Sequence, residues 1–145
     1  MGLKIVNKSN NPLPSYSHEG DAGMDIRAFI NNPITLLPGK RELIGTGIHI
    51  QVPRGFECQV RSKSGMALKH GIAVLNSPGT IDCGFTGEIG VILINHSSVP
   101  YTIESGDKIA QLVFAPYAEV KEFDLVEMLD DTERGEGGFG STGVK

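Results

Sequence analysis

From Leu43 to Val52 apolar and small or polar residues alternate, with Ile44, Thr46, Ile48 and Ile50 at every second position. A period of two puts these side chains on one face of an extended strand, whereas the apolar positions of a helix return every ~3.6 residues. The same reading extends along the chain. Leu3–Val6, Met24–Ile30, Ile34–Leu36, Phe56–Arg61, Ile72–Leu75, Gly90–Asn95, Tyr101–Ile103 and Lys108–Phe114 are short strand-like runs, and Val91-Ile92-Leu93-Ile94 is apolar enough to be buried on both faces. Frequent glycine (19) and proline (8) separate them. One stretch reads as helix: Ser64 can cap its start, Met66, Ala67 and Leu68 favour it, and Gly71 suits the position past His70. The expected fold is all-β, a jelly-roll-like sandwich or barrel with one short helix.

A chain of 145 residues suits a single core. Its net charge of −4 argues against a coat for nucleic acid, which needs many lysines and arginines to neutralise phosphates. No apolar run approaches the ~20 residues of a bilayer span. Cys58 and Cys83 cannot make a disulfide framework, and nothing after Met1 resembles a signal sequence, so reduced thiols in the cytoplasm are expected. Beyond Val120 an acidic connector, Glu122–Glu133, leads to a glycine-rich arm from Arg134 to Gly143. Such composition is usually a flexible terminus. This one carries a forked cation in Arg134, a ring in Phe139 and hydroxyls in Ser141 and Thr142, and ten extended residues could reach ~33 Å.

The segment from Asn76 to Glu88 sets one carboxylate, Asp82, and one ring, Phe85, inside a glycine-punctuated turn between apolar runs. A carboxylate there can take a proton from water, and glycines let backbone amides approach a flat ligand. A plain hairpin, with Asp82 as an Asx-turn cap and Phe85 as core packing, is the alternative.

Five segments stand in order: Asp21-Ala-Gly-Met-Asp25-Ile26, Arg61-Ser-Lys-Ser64-Gly65-Met-Ala, Asn76–Glu88, Gly106-Asp107-Lys108-Ile109-Ala110-Gln111-Leu112 and Arg134–Gly143. Together they resemble the five motifs of the trimeric deoxyuridine triphosphate nucleotidohydrolases, the dUTPases, and the likeness runs from residue 21 to 143. The resemblance implies a jelly-roll domain over residues 1–132 with a flexible lid arm over 133–145. It implies a homotrimer with active sites shared between chains, binding neither nucleic acid nor membrane. The reaction implied is hydrolysis of dUTP to dUMP and pyrophosphate with Mg²⁺, which clears dUTP from the nucleotide pool and supplies dUMP for thymidylate synthesis.

Carried over position by position, Asp82 matches the family's general base, activating the water that attacks the α-phosphorus. Phe85 stands where the family usually has Tyr: the ring that excludes a ribose 2′-hydroxyl stays and the phenol is lost. The hairpin backbone resembles the uracil pocket, with Asn76, Gly79, Thr80, Ile81 and Gly87 as binding positions. Asp25 matches the carboxylate that holds hydrated Mg²⁺ through water, which suits an ion that keeps several waters; a solvated strand-end Asp is the alternative. Ser64 and Gly65 match phosphate contacts. Lys63 replaces the family's usual Arg, keeping the charge but losing the fork, so its contact could be shared with Arg61. Gln111 matches a polar residue near the phosphates, or a strand residue at a subunit contact. In the arm, Arg134 fits a γ-phosphate clamp, Phe139 a lid over uracil, and Gly140, Ser141 and Thr142 phosphate-side contacts. His18, His49, His70 and His96 share no ligand spacing and receive no role.

Two rival readings have distinct requirements. A dCTP deaminase of similar fold needs a Glu at the position of Ile92, and isoleucine cannot move protons. A nucleotide-sensing regulator would keep the pocket and use arm closure as a switch for a protein partner.

Overall fold

The computed structural model describes residues 2–145. Ten strands follow in order: β1 Lys4–Asn7, β2 Gly23–Arg27, β3 Ile34–Leu36, β4 Arg41–Gln51, β5 Phe56–Arg61, β6 Ile72–Val74, β7 Gly79–Ile81, β8 Glu88–Asn95, β9 Tyr101–Ile103 and β10 Lys108–Pro116. The helix α1, Ser64–His70, lies between β5 and β6. All strand pairings are antiparallel. They build one sheet ordered β1-β4-β8-β6, a second ordered β2-β10-β5-β7, and a small pair β3-β9. The inward faces of the two large sheets share a single core, so the fold is an all-β, jelly-roll-like sandwich.

The alternation in β4 is realised as expected: Ile44, Thr46, Ile48 and Ile50 are buried. Thr46 is tolerated there because its hydroxyl donates to the Ile89 carbonyl at 2.6 Å, so no polar group is stranded. β8 contributes Ile89, Val91 and Leu93, and β6 contributes Ile72 and Val74. From the other sheet come Ile26, Cys58, Val60, Ile109, Ala110 and Leu112. Truncating one of the buried isoleucines or leucines to alanine would cost ~2–5 kcal/mol.

Several sequence expectations need correction. Val91–Ile94 is not buried on both faces: Val91 and Leu93 are enclosed, while Ile92 and Ile94 are half-buried, because one face of β8 looks away from the core. β2 ends at Arg27 rather than Ile30. There the backbone crosses between sheets, Ala28 donating to the Asp107 carbonyl and Phe29 to the Gly45 carbonyl, both at 2.8 Å. β7 is a strand inside what reads as a turn. Ser64 does not cap α1: Lys63 occupies the cap position with extended dihedrals, and no side chain caps the helix. At the other end Gly71 does behave as expected, with φ 65° and its N–H on the Ala67 carbonyl.

Residues after Pro116 form no strand or helix and are exposed apart from Gly137 and Gly138. Among the described residues no helix is long and apolar enough to cross a membrane. Cys58 and Cys83 are free. Burial, with the nearby Glu57 charge, pushes the Cys58 thiol up to about 12, which keeps it protonated and inert at neutral pH.

Candidate active site

β7 is the edge strand of its sheet, paired on one side with β5 through Gly79↔Val60, Thr80↔Gln59 and Ile81↔Cys58. Backbone groups on its outer side have no ladder partner and are free for a ligand. Beside it lies a cavity of about 150 Å³, lined by Asn76, Gly79, Thr80, Ile81 and Phe85 from the hairpin and floored by Val60, Val74 and Ile92. Pockets for whole drug-sized ligands run to ~300–1,000 Å³, so this one has room for a single flat ring and not for a polyphosphate. Two glycines let its walls approach closely. A Cβ on Gly79 would stand 3.2 Å from the Val60 Cβ, and a Cβ on Gly87 would stand 2.7 Å from Cζ of the Phe85 ring. The Phe85 ring itself is 45 % exposed, so it forms part of the cavity rim and is not core packing.

Asp82 follows β7 directly, and a turn closed by Phe85 N–H on the Asp82 carbonyl (3.1 Å) holds the two residues together. Asp82 is exposed, and among the described residues nothing donates a hydrogen bond to its carboxylate. The Asx-turn alternative therefore has no support in the geometry, and the carboxylate remains available to water.

A second group of the singled-out residues lies on the outer face of the same sheet. Strand register sets Asp25 of β2 opposite Gln111 of β10, and Gln111 opposite Arg61 of β5. Directly paired residues on antiparallel strands share a face, so these three form one row. Gly23 leaves the space Gln111 needs, since a Cβ there would fall 2.2 Å from Oε1 of Gln111. Gln111 Nε2 then donates to the Ser62 carbonyl at 3.0 Å. Arg61 directs Nε and Nη2 at Oε1 of Gln59, at 3.0 and 2.7 Å.

Asp25 is paired on both oxygens: Oδ1 takes the Lys63 ammonium and Oδ2 the Lys108 ammonium, the latter at 2.9 Å. Burial on its own would raise the Asp25 carboxyl, but the hydrogen bonds and charges of the two lysines outweigh it and hold the group below its ordinary value. Lys63, singled out for phosphate, is thus turned toward a carboxylate 38 residues away. Ser64 and Gly65 are exposed at the start of α1. From β2 to β7 there are three strand spacings, ~14 Å at ~4.8 Å each.

The arm stays apart from both groups. Arg134 Nε donates to the Gly137 carbonyl at 2.8 Å, Ser141 N–H to the Gly138 carbonyl at 3.0 Å, and every hydrogen bond recorded for residues 132–143 is similarly local. Phe139 is fully exposed with φ 49°, Gly140 follows with φ 88°, and Thr142 is exposed. The structure therefore brings together Asn76, Gly79, Thr80, Ile81, Asp82, Phe85 and Gly87, separately gathers Asp25, Lys63 and Gln111 with Arg61 in the same row, and leaves the arm residues outside both groups.

Two residues at the site had no sequence signal. Glu88 lines the cavity, and its Oε1 accepts from the amides of Thr46 and Gly47 at 3.0 and 2.8 Å. His49, the cross-strand partner of Glu88, places Nδ1 3.0 Å from the Thr86 carbonyl.

A protein-family model described as dUTPase matches residues 9–143. The chain belongs to the dUTPase family. A relative from Finegoldia magna, named deoxyuridine 5'-triphosphate nucleotidohydrolase, is 52 % identical over 143 residues, covering 99 % of each chain. Among solved structures, a dUTPase variant of Staphylococcus bacteriophage 80alpha with dUpNHpp superposes with TM-score 0.88 at 27 % identity, covering 99 % of both chains. A dUTPase variant from phage phi11 of S. aureus, described for its coordination of a structural Mg(II) ion, matches with TM-score 0.77 at 25 % identity, over 88 % of this chain and 98 % of that one. Family membership agrees with the motif order, and the phage dUTPase likeness spans both the cavity and the polar row.

The family resemblance implies Mg²⁺ at Asp25. No group of three or more His, Cys, Asp or Glu side chains among the described residues could cage a metal ion. Both Asp25 oxygens are engaged by ammoniums, so a hydrated Mg²⁺ arriving on a polyphosphate would reach this single carboxylate only as Lys63 or Lys108 turns from it to a phosphate oxygen.

Proposed function

We propose that the protein is a dUTP diphosphatase that hydrolyses dUTP to dUMP and pyrophosphate. What carries this reading is the ring-sized cavity beside the unpaired edge of β7, with an unengaged Asp82 and the Phe85 ring in the loop that closes it. Uracil enters the cavity, and the free backbone groups of Gly79–Ile81 pair with its edge as a neighbouring strand would. Cytosine offers the wrong donor pattern, and the methyl of thymine strikes the turn. Phe85 lies under the deoxyribose and denies space to a 2′-hydroxyl. Ile92, at the position where a deaminase needs a Glu, offers no proton-transfer group, and Glu88 of the cavity lining is committed through Oε1 to two backbone amides, which together argue against deamination.

Asp82 acts as general base. It takes a proton from a water whose oxygen attacks the α-phosphorus; the bond from that phosphorus to the α–β bridging oxygen breaks, and pyrophosphate departs with the electron pair. General-base assistance is worth ~10²–10⁴-fold, with positioning supplying the rest of the acceleration. Lys63, Arg61, Ser64, Gly65 and Gln111 bind the phosphates, Lys63 exchanging its carboxylate partner for a phosphate oxygen. Asp25 is the residue that would hold hydrated Mg²⁺ through water, and the ion's chemistry there is neutralisation of phosphate charge. Arg134, Phe139, Gly140, Ser141 and Thr142 close as a lid, residues 133–145 serving as an arm on a domain of residues 1–132.

Asp25 on β2 and the cavity beside β7 lie three strand spacings, ~14 Å, apart at opposite edges of one sheet, and among the described residues the arm makes no hydrogen bond to either. That separation supports a homotrimer in which each site draws on more than one chain. Two free thiols suit a reducing compartment, the cytoplasm. The physiological role would be removal of dUTP from the nucleotide pool and supply of dUMP for thymidylate synthesis. The deciding experiment is pyrophosphate release from dUTP, UTP, dCTP and dTTP with and without Mg²⁺. A strong response to dUTP alone, greater with Mg²⁺, is expected; equal rates with UTP, or ammonia release from dCTP, would overturn the reading.

A further inference from the structure

The loop from Asp82 to Gly87 carries both the proposed base and the proposed sugar floor, yet it has little of its own to hold it in place. Within it, Phe85 N–H bonds to the Asp82 carbonyl. The side-chain bond recorded from the loop to the rest of the described chain comes from His49, whose Nδ1 lies 3.0 Å from the Thr86 carbonyl. A carbonyl can only accept, so Nδ1 carries the proton and donates, in the neutral ring or the cation alike.

His49 stands on a firm base. The β4–β8 register shifts between Gly45 and His49, and His49 is the cross-strand partner of Glu88. Glu88 Oε1 accepts the Thr46 and Gly47 amides, and the Thr46 hydroxyl accepts from Ile48 N–H at 3.2 Å while donating to the Ile89 carbonyl. Gly47 takes φ 68°, where a Cβ would stand 2.9 Å from the Ser9 amide nitrogen. The bulge just before His49 is thus tied to the first residues of β8 by side-chain and backbone bonds, and packed against residue 9. A residue projecting from such a bulge is aimed by the backbone beneath it.

We propose that His49 is a positioning residue for the catalytic loop: its Nδ1–H holds the Thr86 carbonyl and thereby sets the placement of Asp82 and Phe85 over the cavity. The proposal rests on the reading of Asp82 and Phe85 given above, and its test separates the two. Amide hydrogen exchange of the ligand-free protein is measured for wild type, His49→Ala and His49→Asn, alongside kcat and KM for dUTP and the dUTP-to-UTP ratio. Asparagine presents Nδ2–H near the place of histidine Nδ1–H and can restore the bond.

In His49→Ala, exchange at the Phe85 amide, which is bonded to the Asp82 carbonyl, rises about tenfold while the amides of residues 89–93 stay unchanged, the loss expected for one hydrogen bond. kcat/KM for dUTP falls about tenfold and the dUTP-to-UTP ratio falls with it, whereas His49→Asn returns both to within about threefold of wild type. Unchanged exchange in His49→Ala, or an Asn variant as impaired as Ala, overturns the role of the Nδ1 donor. Should wild type fail to release pyrophosphate from dUTP, the function reading falls, and the exchange data still decide whether His49 orders the loop.

Discussion

The hairpin from Asn76 to Glu88 and the arm from Arg134 to Gly143 are both rich in glycine and both carry residues assigned to nucleotide binding, but the molecule treats them differently. The hairpin is stretched between β7 and β8, its glycines sit where a Cβ would strike Val60 or Phe85, and its loop is bonded to His49. The arm bonds only to itself and leaves Phe139 fully exposed. One is held by the body of the fold; the other has only local hydrogen bonds, so the closure proposed for it would bear the entropic cost of ordering its backbone. On the proposed function, selection of the base is a property of the folded body, whereas closure of the arm over the phosphates is conditional on binding.

The strongest way to break this contrast is at Asp82. Asp82→Asn should lower kcat by ~10²–10⁴ with little change in KM, measured as pyrophosphate release at saturating dUTP. Near wild-type turnover would remove chemistry from the hairpin. Truncation after Glu133 should lower kcat/KM by ~10²-fold while thermal unfolding stays within experimental error, because the removed segment shares no recorded hydrogen bond with the body. An unchanged kcat/KM would make the arm irrelevant, and a large fall in Tm would show that it is part of the body after all.

Phe85→Ala should cut the dUTP-to-UTP preference by ~10-fold or more, as judged by the ratio of kcat/KM values, with a modest change in stability because the ring is half-exposed. The smallest effect concerns the polar row. Asp25 titrates below its ordinary value of 3.8 in the folded chain, so its pairing with Lys63 and Lys108 contributes stability fully present above that value and lost as pH falls through the depressed folded one. Urea unfolding of wild type and Asp25→Asn should therefore differ by a constant amount above ~pH 5 and converge in acid. A difference that persists at pH 2 would show that the lysines do not depend on the carboxylate charge.

Much of this was legible before any coordinates. The alternation in β4, the short apolar runs and the glycine after α1 are readable because each depends on neighbours within one strand or one turn. β7 escaped because Gly79-Thr80-Ile81 lies between Pro78 and Asp82, both turn residues, and only pairing with β5 makes it a strand. Ser64 looked like a cap because residue type was the only guide; the helix instead begins with Lys63 extended and its side chain drawn to Asp25.

By itself the sequence determined the fold class, the order of the motifs and the membership of the hairpin, all of which follow from local period, residue type and spacing. Tertiary structure alone decided who meets whom. Lys63 finds Asp25 across 38 residues and His49 finds Thr86 across 37, because antiparallel register and the β4 bulge put distant backbone positions side by side. No local pattern encodes such a partner: shifting a strand by one residue would turn each of these side chains to the other face.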